Sequence, residues 1–297
     1  MSFRSLLKRS LPRPARHTIR RVSNYVERVT IWRTILREVK GAGPHDRAIL
    51  RRSALASPFT GRSNLLAWQD PVLLDDATVS VAGLGIFEIR ARTDELFIIL
   101  PSREPAVFSA LDRCLSTGGI FVDAGANIGA FSVCAARKVG ASGKVLAIEM
   151  MPETAARLRR HLVLNGVDNA EIVEAALSES AGDNVAATIQ PGHAGRATLT
   201  PTLAAGLETA RRLIVPTTTL ADLLSPYHHI SLMKMDIEGA ELAALRGAGA
   251  ALSKIRAIVF EQLEQGGDVA EFLSANGFRI EQLDHHNFLA INTLGMD

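Results

Sequence analysis

From residue 120 onward, hydrophobic positions alternate between short continuous runs and series spaced three and four residues apart. Short apolar runs are typical of buried strands, and the three-four spacing is typical of helices. Strands are predicted over 120–122, 144–149, 171–177, 231–236, 255–260, 278–283 and 288–292, and helices over 128–139, 152–165, 219–224, 240–247 and 268–276. Repeated strand–helix units predict a mostly parallel, doubly wound α/β sheet, and the short gap between the last two strands predicts that they pair antiparallel.

The first 105 residues carry other patterns. Proline and basic residues over 1–17 predict no fixed structure, an apolar stripe over 18–40 predicts a helix, and a short basic helix follows through residue 55. Further short strands are predicted at 79–81, 87–90 and 96–100. These patterns divide the chain into a basic helical extension over 1–60, a small β-rich segment over 61–105 and an α/β domain over 106–297.

Residues 178–212 are polar and rich in glycine, and they interrupt the strand–helix alternation. This composition predicts a β-hairpin or a lid. His193, in this stretch, is the best single histidine for an additional base. The adjacent pairs 228–229 and 285–286 are more typical of loops, because neighbouring strand residues face opposite ways.

Composition and cysteine content narrow the class of protein. The chain is 47% hydrophobic and 22% charged, which is ordinary for a soluble globular protein and excludes a disordered or collagen-like chain. Only Cys114 and Cys134 are present, so neither a disulfide framework nor a cysteine-rich zinc site is predicted, and we expect a reducing, cytoplasmic location. No apolar run approaches the ~18–20 residues that a membrane span needs. The sequence predicts no oligomeric state.

Charge is distributed unevenly: residues 1–52 carry a net charge of +11 and the remaining residues −9. Three interpretations of this basic arm stay open. It packs its apolar stripe on the body of the protein, it makes a peripheral contact with a membrane surface through its arginines and Trp32, or it is a targeting sequence. RNA binding is less favoured, because no recognised RNA-binding module accompanies the arm.

The strongest local motif is FVDAGANIG over 121–129, a hydrophobic strand that ends near Asp123 and is followed by a small-residue turn and a helix. In open α/β sheets, ligands bind at the carboxyl ends of strands. Gly125 and Gly129 remove side chains that would keep a ligand off the backbone. Glu149, at the end of the next predicted strand, can accept hydrogen bonds from both ribose hydroxyls, so the motif predicts a nucleoside ligand; a glycine turn without any ligand is the alternative.

Two nucleoside cofactors compete for this motif. A dinucleotide such as NAD requires the spacing GxGxxG, whose backbone amides hold a pyrophosphate. Here the spacing is GxxxG, and Asp123 precedes the first glycine by two positions. A carboxylate there repels a pyrophosphate and suits an ammonium group. The charges therefore favour S-adenosylmethionine over NAD.

Several motifs resemble the FkbM-type S-adenosylmethionine-dependent methyltransferases. They are DAGANIG at 123–129, VPTTTLADLL at 215–224, LMKMDIEGAELAALRG at 232–247 and IVFE at 258–261. The resemblance covers about residues 100–283 and implies a class I methyltransferase sheet of seven strands and O-methylation of sugars or natural products. It also implies cofactor contacts at Asp123, Gly125, Asn127, Gly129 and Glu149.

Two positions depart from this family pattern. Met150 and Met151 stand where the family usually has proline directly after the acid, although Pro152 is retained, and Ala221 replaces a common aspartate. Neither change removes a candidate cofactor ligand.

The candidate catalytic residues lie on two predicted strands. Strand alternation places Lys234 and Asp236 on one face, with Asp236 at the carboxyl end. We interpret Asp236 as the group that polarises an acceptor hydroxyl, Lys234 as its partner, and Glu261 as a second carboxylate at the end of the next strand. Glu238 fits a helix cap as well as a catalytic role.

Asp236, Glu238 and Glu261 offer the oxygen ligands that Mg²⁺ prefers. Because Glu238 fits a helix cap as well, it is not a clear third ligand, and a divalent metal is considered but not predicted.

We therefore predict a methyltransferase acting on a hydroxyl of a sugar, glycan or natural product, with a small-molecule or glycan acceptor and no nucleic acid partner. Two alternatives stay open: an RNA or protein methyltransferase that holds its substrate with the basic arm, and a non-catalytic cofactor-binding or membrane-tethered module.

Overall fold

The computed structural model describes residues 13–56, 71–189, 197–198, 211–262 and 269–294. The chain divides into two compact units. The first comprises residues 1–83 and 87–100, and the second comprises residues 84–86 and 101–297. Among the helices of the described ranges, none is long and apolar enough to cross a membrane.

The first unit combines helices with a small sheet. Its helices are α1 (Arg13–Glu38), α2 (Pro44–Ala56) and α3 (Glu95–Ile98), and the strands of its sheet are β1 (Val39–Gly41), β2 (Ala77–Val81) and β3 (Gly85–Ile89). The sheet order is β1-β2-β3, and β1 is antiparallel to β2. The predicted helix at the basic arm is present, but it begins at Arg13, inside the stretch for which no fixed structure was predicted.

Two apolar segments were assigned wrongly from the sequence. Residues 96–100 form helix α3 and its end, because Leu96 and Ile99, three positions apart, are both fully buried. Residues 171–177 form two strands, β6 (Ala170–Val173) and β7 (Ala176–Leu177), which join different sheets. Periodicity in so short a run does not distinguish these structures.

The second unit is built on a seven-stranded sheet. Its other strands are β4 (Ile120–Ala124), β5 (Lys144–Ile148), β11 (Leu232–Met235), β12 (Ala257–Glu261), β13 (Phe278–Gln282) and β14 (Asn287–Asn292). The order is β13-β14-β12-β11-β4-β5-β6, parallel from β12 to β6, with β14 antiparallel to both neighbours. The predicted α/β fold, a seven-stranded mostly parallel sheet with an antiparallel last strand, is confirmed.

Most helices of this unit lie at predicted positions. These are α5 (Ala130–Val139), α6 (Pro152–Leu164), α7 (Leu220–Leu224), α8 (Glu241–Arg246) and α9 (Val269–Ala275). Helix α4 (Pro105–Cys114) was not predicted from the sequence. The core includes Val122, Met233, Ile258 and Phe260, which are almost fully buried. Because both faces of the central strands are buried, these strands are mostly apolar, apart from Asp123 on β4 and Lys234 on β11.

A second, smaller sheet has the order β7-β10-β8-β9, where β8 is Asn184–Ile189, β9 is Ala197–Thr198 and β10 is Arg211–Thr218. Strand β8 lies within residues 178–212, the stretch that predicted a hairpin or a lid, and it pairs antiparallel with β10, which begins at Arg211 and continues beyond that stretch. Residues 190–196, with His193, and 199–210 lie outside the described residues. Val215 of this sheet packs in one cluster with Met151, close after β5.

Candidate functional site

Asp123 lies near the carboxyl end of β4 and is fully buried. Its Oδ2 accepts a hydrogen bond of 2.6 Å from Ser132 Oγ on α5. Its Oδ1 is buried without a hydrogen-bond partner in the described part of the chain. Burial raises the pKa of the Asp123 carboxyl, and the charge of Lys234 and the Ser132 hydroxyl oppose that rise. The residue is therefore a buried acceptor with one oxygen still open to a donor.

The two glycines of the motif allow close backbone packing. Gly125 has a φ of 82°, and a Cβ at this position would lie 1.9 Å from the carbonyl oxygen of Asp236. A Cβ at Gly129 would lie 2.5 Å from Leu158 Cδ1 on α6. These contacts bring the end of β4 against the end of β11, and α5 against α6. The expected contacts of Gly125 and Gly129 with a cofactor remain predictions.

Asn127 and Glu149 are joined directly. Asn127 adopts a positive φ of 50°, and its backbone N–H donates a hydrogen bond of 2.9 Å to Glu149 Oε2. The backbone N–H of Met151 donates to Glu149 Oε1 at 2.8 Å. Glu149 is 7% exposed, and burial raises the pKa of its carboxyl to about 7, although both backbone donors oppose the rise. A carboxylate oxygen has two lone pairs, so both oxygens can still accept a ligand hydroxyl.

These residues fit S-adenosylmethionine. Asp123 Oδ1 is a buried acceptor to which no described residue donates, and the ammonium of the cofactor is a donor of the right charge. Glu149 offers acceptor capacity for the ribose hydroxyls at the carboxyl end of the neighbouring strand, where open α/β sheets bind ligands.

Lys234 is a buried cation between carboxylates. It is 4% exposed, and it lies opposite Asp123 in the register of β11 and β4. Its Nζ lies 3.1 Å from Asp236 Oδ2 and 4.8 Å from the centre of the Phe131 ring. Burial alone would lower the pKa of the ammonium, but Asp236, Asp123 and Glu104 raise it above its ordinary value. Lys234 therefore stays charged and cannot serve as a base near neutral pH.

Asp236 and Glu261 are the more accessible carboxylates of this group. The Asp236 side chain is 37% exposed, compared with 5% for its partner Lys234. Glu261, the last residue of β12, is half-buried. Its carboxyl pKa is raised first by burial and then by Asp236 and Glu104, while His286 and Lys234 act in the opposite direction. The structure thus brings all three predicted catalytic residues to one edge of the sheet.

The loop after β11 is held by a different acid from the one considered in the sequence. Glu241 Oε1 accepts hydrogen bonds from the backbone N–H groups of Ile237 at 3.0 Å and Gly239 at 3.3 Å. Glu238 lies within this loop at a positive φ of 52°.

In the described residues, no group of three or more His, Cys, Asp and Glu side chains is arranged to hold a metal ion.

Sequence reasoning missed Glu104, Ser132 and Phe131. Glu104 lies before α4, far from every motif, and it interacts electrostatically with both Lys234 and Glu261. Ser132 lies nine residues after Asp123, in the first turn of α5, where a serine facing back to the strand was a readable signal. Phe131 resembles an ordinary core residue in the sequence, and only the fold places Lys234 over its ring.

Comparison with known proteins gives a family match and relatives that are named methyltransferases. The model of the methyltransferase FkbM domain matches residues 123–280. A relative named methyltransferase sdnD, from Sordaria araneosa, is 32% identical over 198 residues, which cover 56% of this chain and 76% of that protein. Methyltransferase 1 from Beauveria bassiana is 26% identical over 234 residues, covering 70% of this chain and 88% of that protein.

A solved structure of an S-adenosylmethionine-dependent O-methyltransferase from Thermotoga maritima is 15% identical, with coverage of 74% of this chain and 78% of that chain and a TM-score of 0.43. The matched family segment opens at Asp123 and contains Glu149, Lys234, Asp236 and Glu261. The chain therefore belongs to the FkbM family and is an S-adenosylmethionine-dependent methyltransferase.

Proposed function

We propose that this enzyme methylates a hydroxyl group of a sugar, glycan or natural product, and that residues 106–297 form the domain that does so. The observation that carries the proposal is the ion pair between Lys234 on β11 and Asp236, which directly follows the carboxyl end of that strand. The cation is buried, and the carboxylate is partly exposed. An acceptor can therefore reach the Asp236 carboxylate, while the buried Lys234 ammonium holds that carboxylate in position.

In this proposal, Asp123 binds the ammonium of S-adenosylmethionine and Glu149 binds its ribose hydroxyls. Gly125, Asn127 and Gly129 shape the turn between these two acids. The cofactor, when bound, supplies a methyl group on a positively charged sulfur.

The acceptor hydroxyl must be oriented and must lose a proton, and both tasks fall to residues of this chain. Asp236 accepts the hydrogen bond of the hydroxyl and orients it. Lys234 holds Asp236 in place through the contact of 3.1 Å. Glu261, whose carboxyl pKa is raised by burial, is a second group that can take the proton.

The first test separates cofactor binding from chemistry. We expect calorimetry to show binding of S-adenosylmethionine and S-adenosylhomocysteine but not of NAD or NADP. Asp123→Ala should weaken binding of the first two strongly, because it removes the buried carboxylate. A well-folded protein that binds neither adenosyl compound would contradict the assignment of the cofactor site.

The second test addresses the catalytic roles, by screening glycans and natural-product hydroxyls for release of S-adenosylhomocysteine. We expect Asp236→Asn to bind S-adenosylhomocysteine as the wild type does and to turn over about 10²–10⁴-fold more slowly with any acceptor found. Unchanged turnover in Asp236→Asn, together with lost turnover in Glu261→Gln, would move the proton-accepting role to Glu261.

A further inference from the structure

Glu104 is attached to the proposed catalytic group through a short chain of contacts. Its carbonyl oxygen accepts hydrogen bonds of 3.1 Å from the backbone N–H groups of Val107 and Phe108, so Phe108 lies one turn along α4. The Phe108 and Phe131 ring centres are 4.7 Å apart. Lys234 Nζ lies 4.8 Å from the Phe131 ring centre. The first turn of α4 is therefore fixed beside the buried cation.

The charges around this point are unbalanced. Glu104 is 17% exposed at its side chain and pairs with Arg103 at 3.1 Å. Glu104 also interacts with Lys234 and Glu261. With Asp123 assigned to the cofactor, the group that an acceptor would meet has the three carboxylates Glu104, Asp236 and Glu261 against the two cations Lys234 and Arg103.

The group also holds more acceptors than donors. Asp236, whose side chain is 37% exposed, and the half-buried Glu261 are the carboxylates that an acceptor can reach, since Asp123 is assigned to the cofactor. Ionised carboxylates only accept hydrogen bonds, so a ligand entering this group must bring hydroxyl or ammonium donors. A phosphate or carboxylate on the ligand would meet like charge in a partly buried place.

We propose that Glu104, from outside the segment that matches the family, determines acceptor specificity together with Glu261. The subsite that they form takes a hydroxyl-rich acceptor that is uncharged or carries an ammonium group, and it rejects an anionic one. This inference rests on the proposed O-methylation and names the chemical class of its acceptor.

Three matched probes test the charge preference on protein loaded with S-adenosylhomocysteine. They are methyl α-glucopyranoside, which is uncharged, glucosamine, which carries an ammonium, and glucose 6-phosphate, which is anionic. We expect saturation-transfer NMR titrations to show binding of the first two and at least about tenfold weaker binding of the phosphate. Equal binding of the phosphate, or binding of none of the probes, would overturn the proposal.

Variants of Glu104 connect that preference to this residue. Glu104→Gln should weaken the binding of glucosamine by about tenfold, because a charge-assisted hydrogen bond becomes a neutral one. The binding of the uncharged glycoside should stay nearly the same. Glu104→Lys should let glucose 6-phosphate bind more tightly than glucosamine. Glu271→Lys, an exposed acid on α9, is the matched control and should leave the order of the probes unchanged.

Binding of S-adenosylhomocysteine, measured in every variant, separates the two ideas. If wild-type protein does not bind it, the proposed function fails. If it binds in all variants but the probe order does not respond to Glu104→Gln and Glu104→Lys, only the specificity inference fails.

Discussion

Glu149 shows how a single carboxylate couples cofactor binding to pH. Its pKa is raised from 4.5 to about 7 because burial penalises the charged form. The ribose hydroxyls donate to the ionised form, so binding should release a proton and weaken as pH falls below about 7. Calorimetry of S-adenosylhomocysteine in buffers of different ionisation enthalpy measures that proton. Binding that releases no proton at any pH would contradict this role.

The same raised pKa affects stability in the absence of cofactor. Between the unfolded pKa of 4.5 and the folded value of about 7, the folded state binds more protons than the unfolded state. The contribution of Glu149 to the free energy of unfolding should therefore fall as pH rises through this window, by at most about 3 kcal/mol. Denaturant unfolding of wild type and Glu149→Gln across the window checks it, since the glutamine variant should lack this part of the pH dependence.

Ser132 acts on the cofactor site through Asp123. Its hydroxyl donates to Asp123 Oδ2 and lowers the pKa of that buried carboxyl. Ser132→Ala should raise that pKa further and weaken binding of S-adenosylmethionine by about tenfold, more strongly at low pH, because a protonated Asp123 does not attract an ammonium.

The control for this variant is Ser274→Ala, which removes an exposed serine hydroxyl that donates to a helix carbonyl at 2.7 Å. It should leave cofactor affinity and its pH dependence unchanged. If Ser132→Ala and Ser274→Ala bind the cofactor alike across pH, Ser132 does not position Asp123.

At the scale of elements, the site depends on how closely β4 approaches β11. Gly125 and Gly182 have nearly the same φ, 82° and 85°, but a Cβ at Gly182 meets nothing within 4 Å, whereas a Cβ at Gly125 would meet the Asp236 carbonyl oxygen. Gly182→Ala should lose about 1 kcal/mol of unfolding free energy from backbone strain alone. Gly125→Ala should lose about 2–5 kcal/mol, because the two strand ends must also separate.

Unfolding by denaturant measures both losses on the same scale. Equal losses in the two variants would mean that the close contact between the strand ends is not required. A larger loss at Gly125 accompanied by weaker S-adenosylhomocysteine binding would connect this packing to the cofactor turn.

At the scale of the whole molecule, the described part of the basic arm belongs to the first unit. Trp32 is 3% exposed and Ile35 is fully buried, whereas Val26 and Leu36 remain exposed. A buried Trp32 does not suit a membrane-surface anchor, so this burial favours the packing interpretation of the arm. In the described part of the arm, Arg37 has a side chain that is 75% exposed, whereas Arg28 is buried.

Trp32→Ala tests that interpretation. Removing a buried tryptophan should cost about 3–5 kcal/mol of unfolding free energy. Leu55→Ala, at a side chain that is 76% exposed, should cost little and is the control. Thermal unfolding followed by circular dichroism compares the two. A Trp32→Ala protein as stable as Leu55→Ala would mean that the arm is not packed in solution.

The sequence by itself determined the features that depend on neighbours along the chain. The strand, turn and helix around Asp123, the strand carrying Lys234 and Asp236, and the antiparallel last strand all follow from local periodicity and loop length. Local patterns failed where a short apolar run fits two structures, as at residues 96–100, which are helical, and at 171–177, which divide between two sheets.

Only the tertiary structure decided which distant side chains share one environment. Glu104 interacts electrostatically with Lys234, in a fold where Phe108 of α4 packs on Phe131, and Glu149 acquires a pKa of about 7 because the fold buries it. Burial and electrostatic contact depend on distance in space, which periodicity along a chain does not contain. The residue types of the site were therefore readable in advance, whereas their protonation and the contribution of Glu104 required the packed molecule.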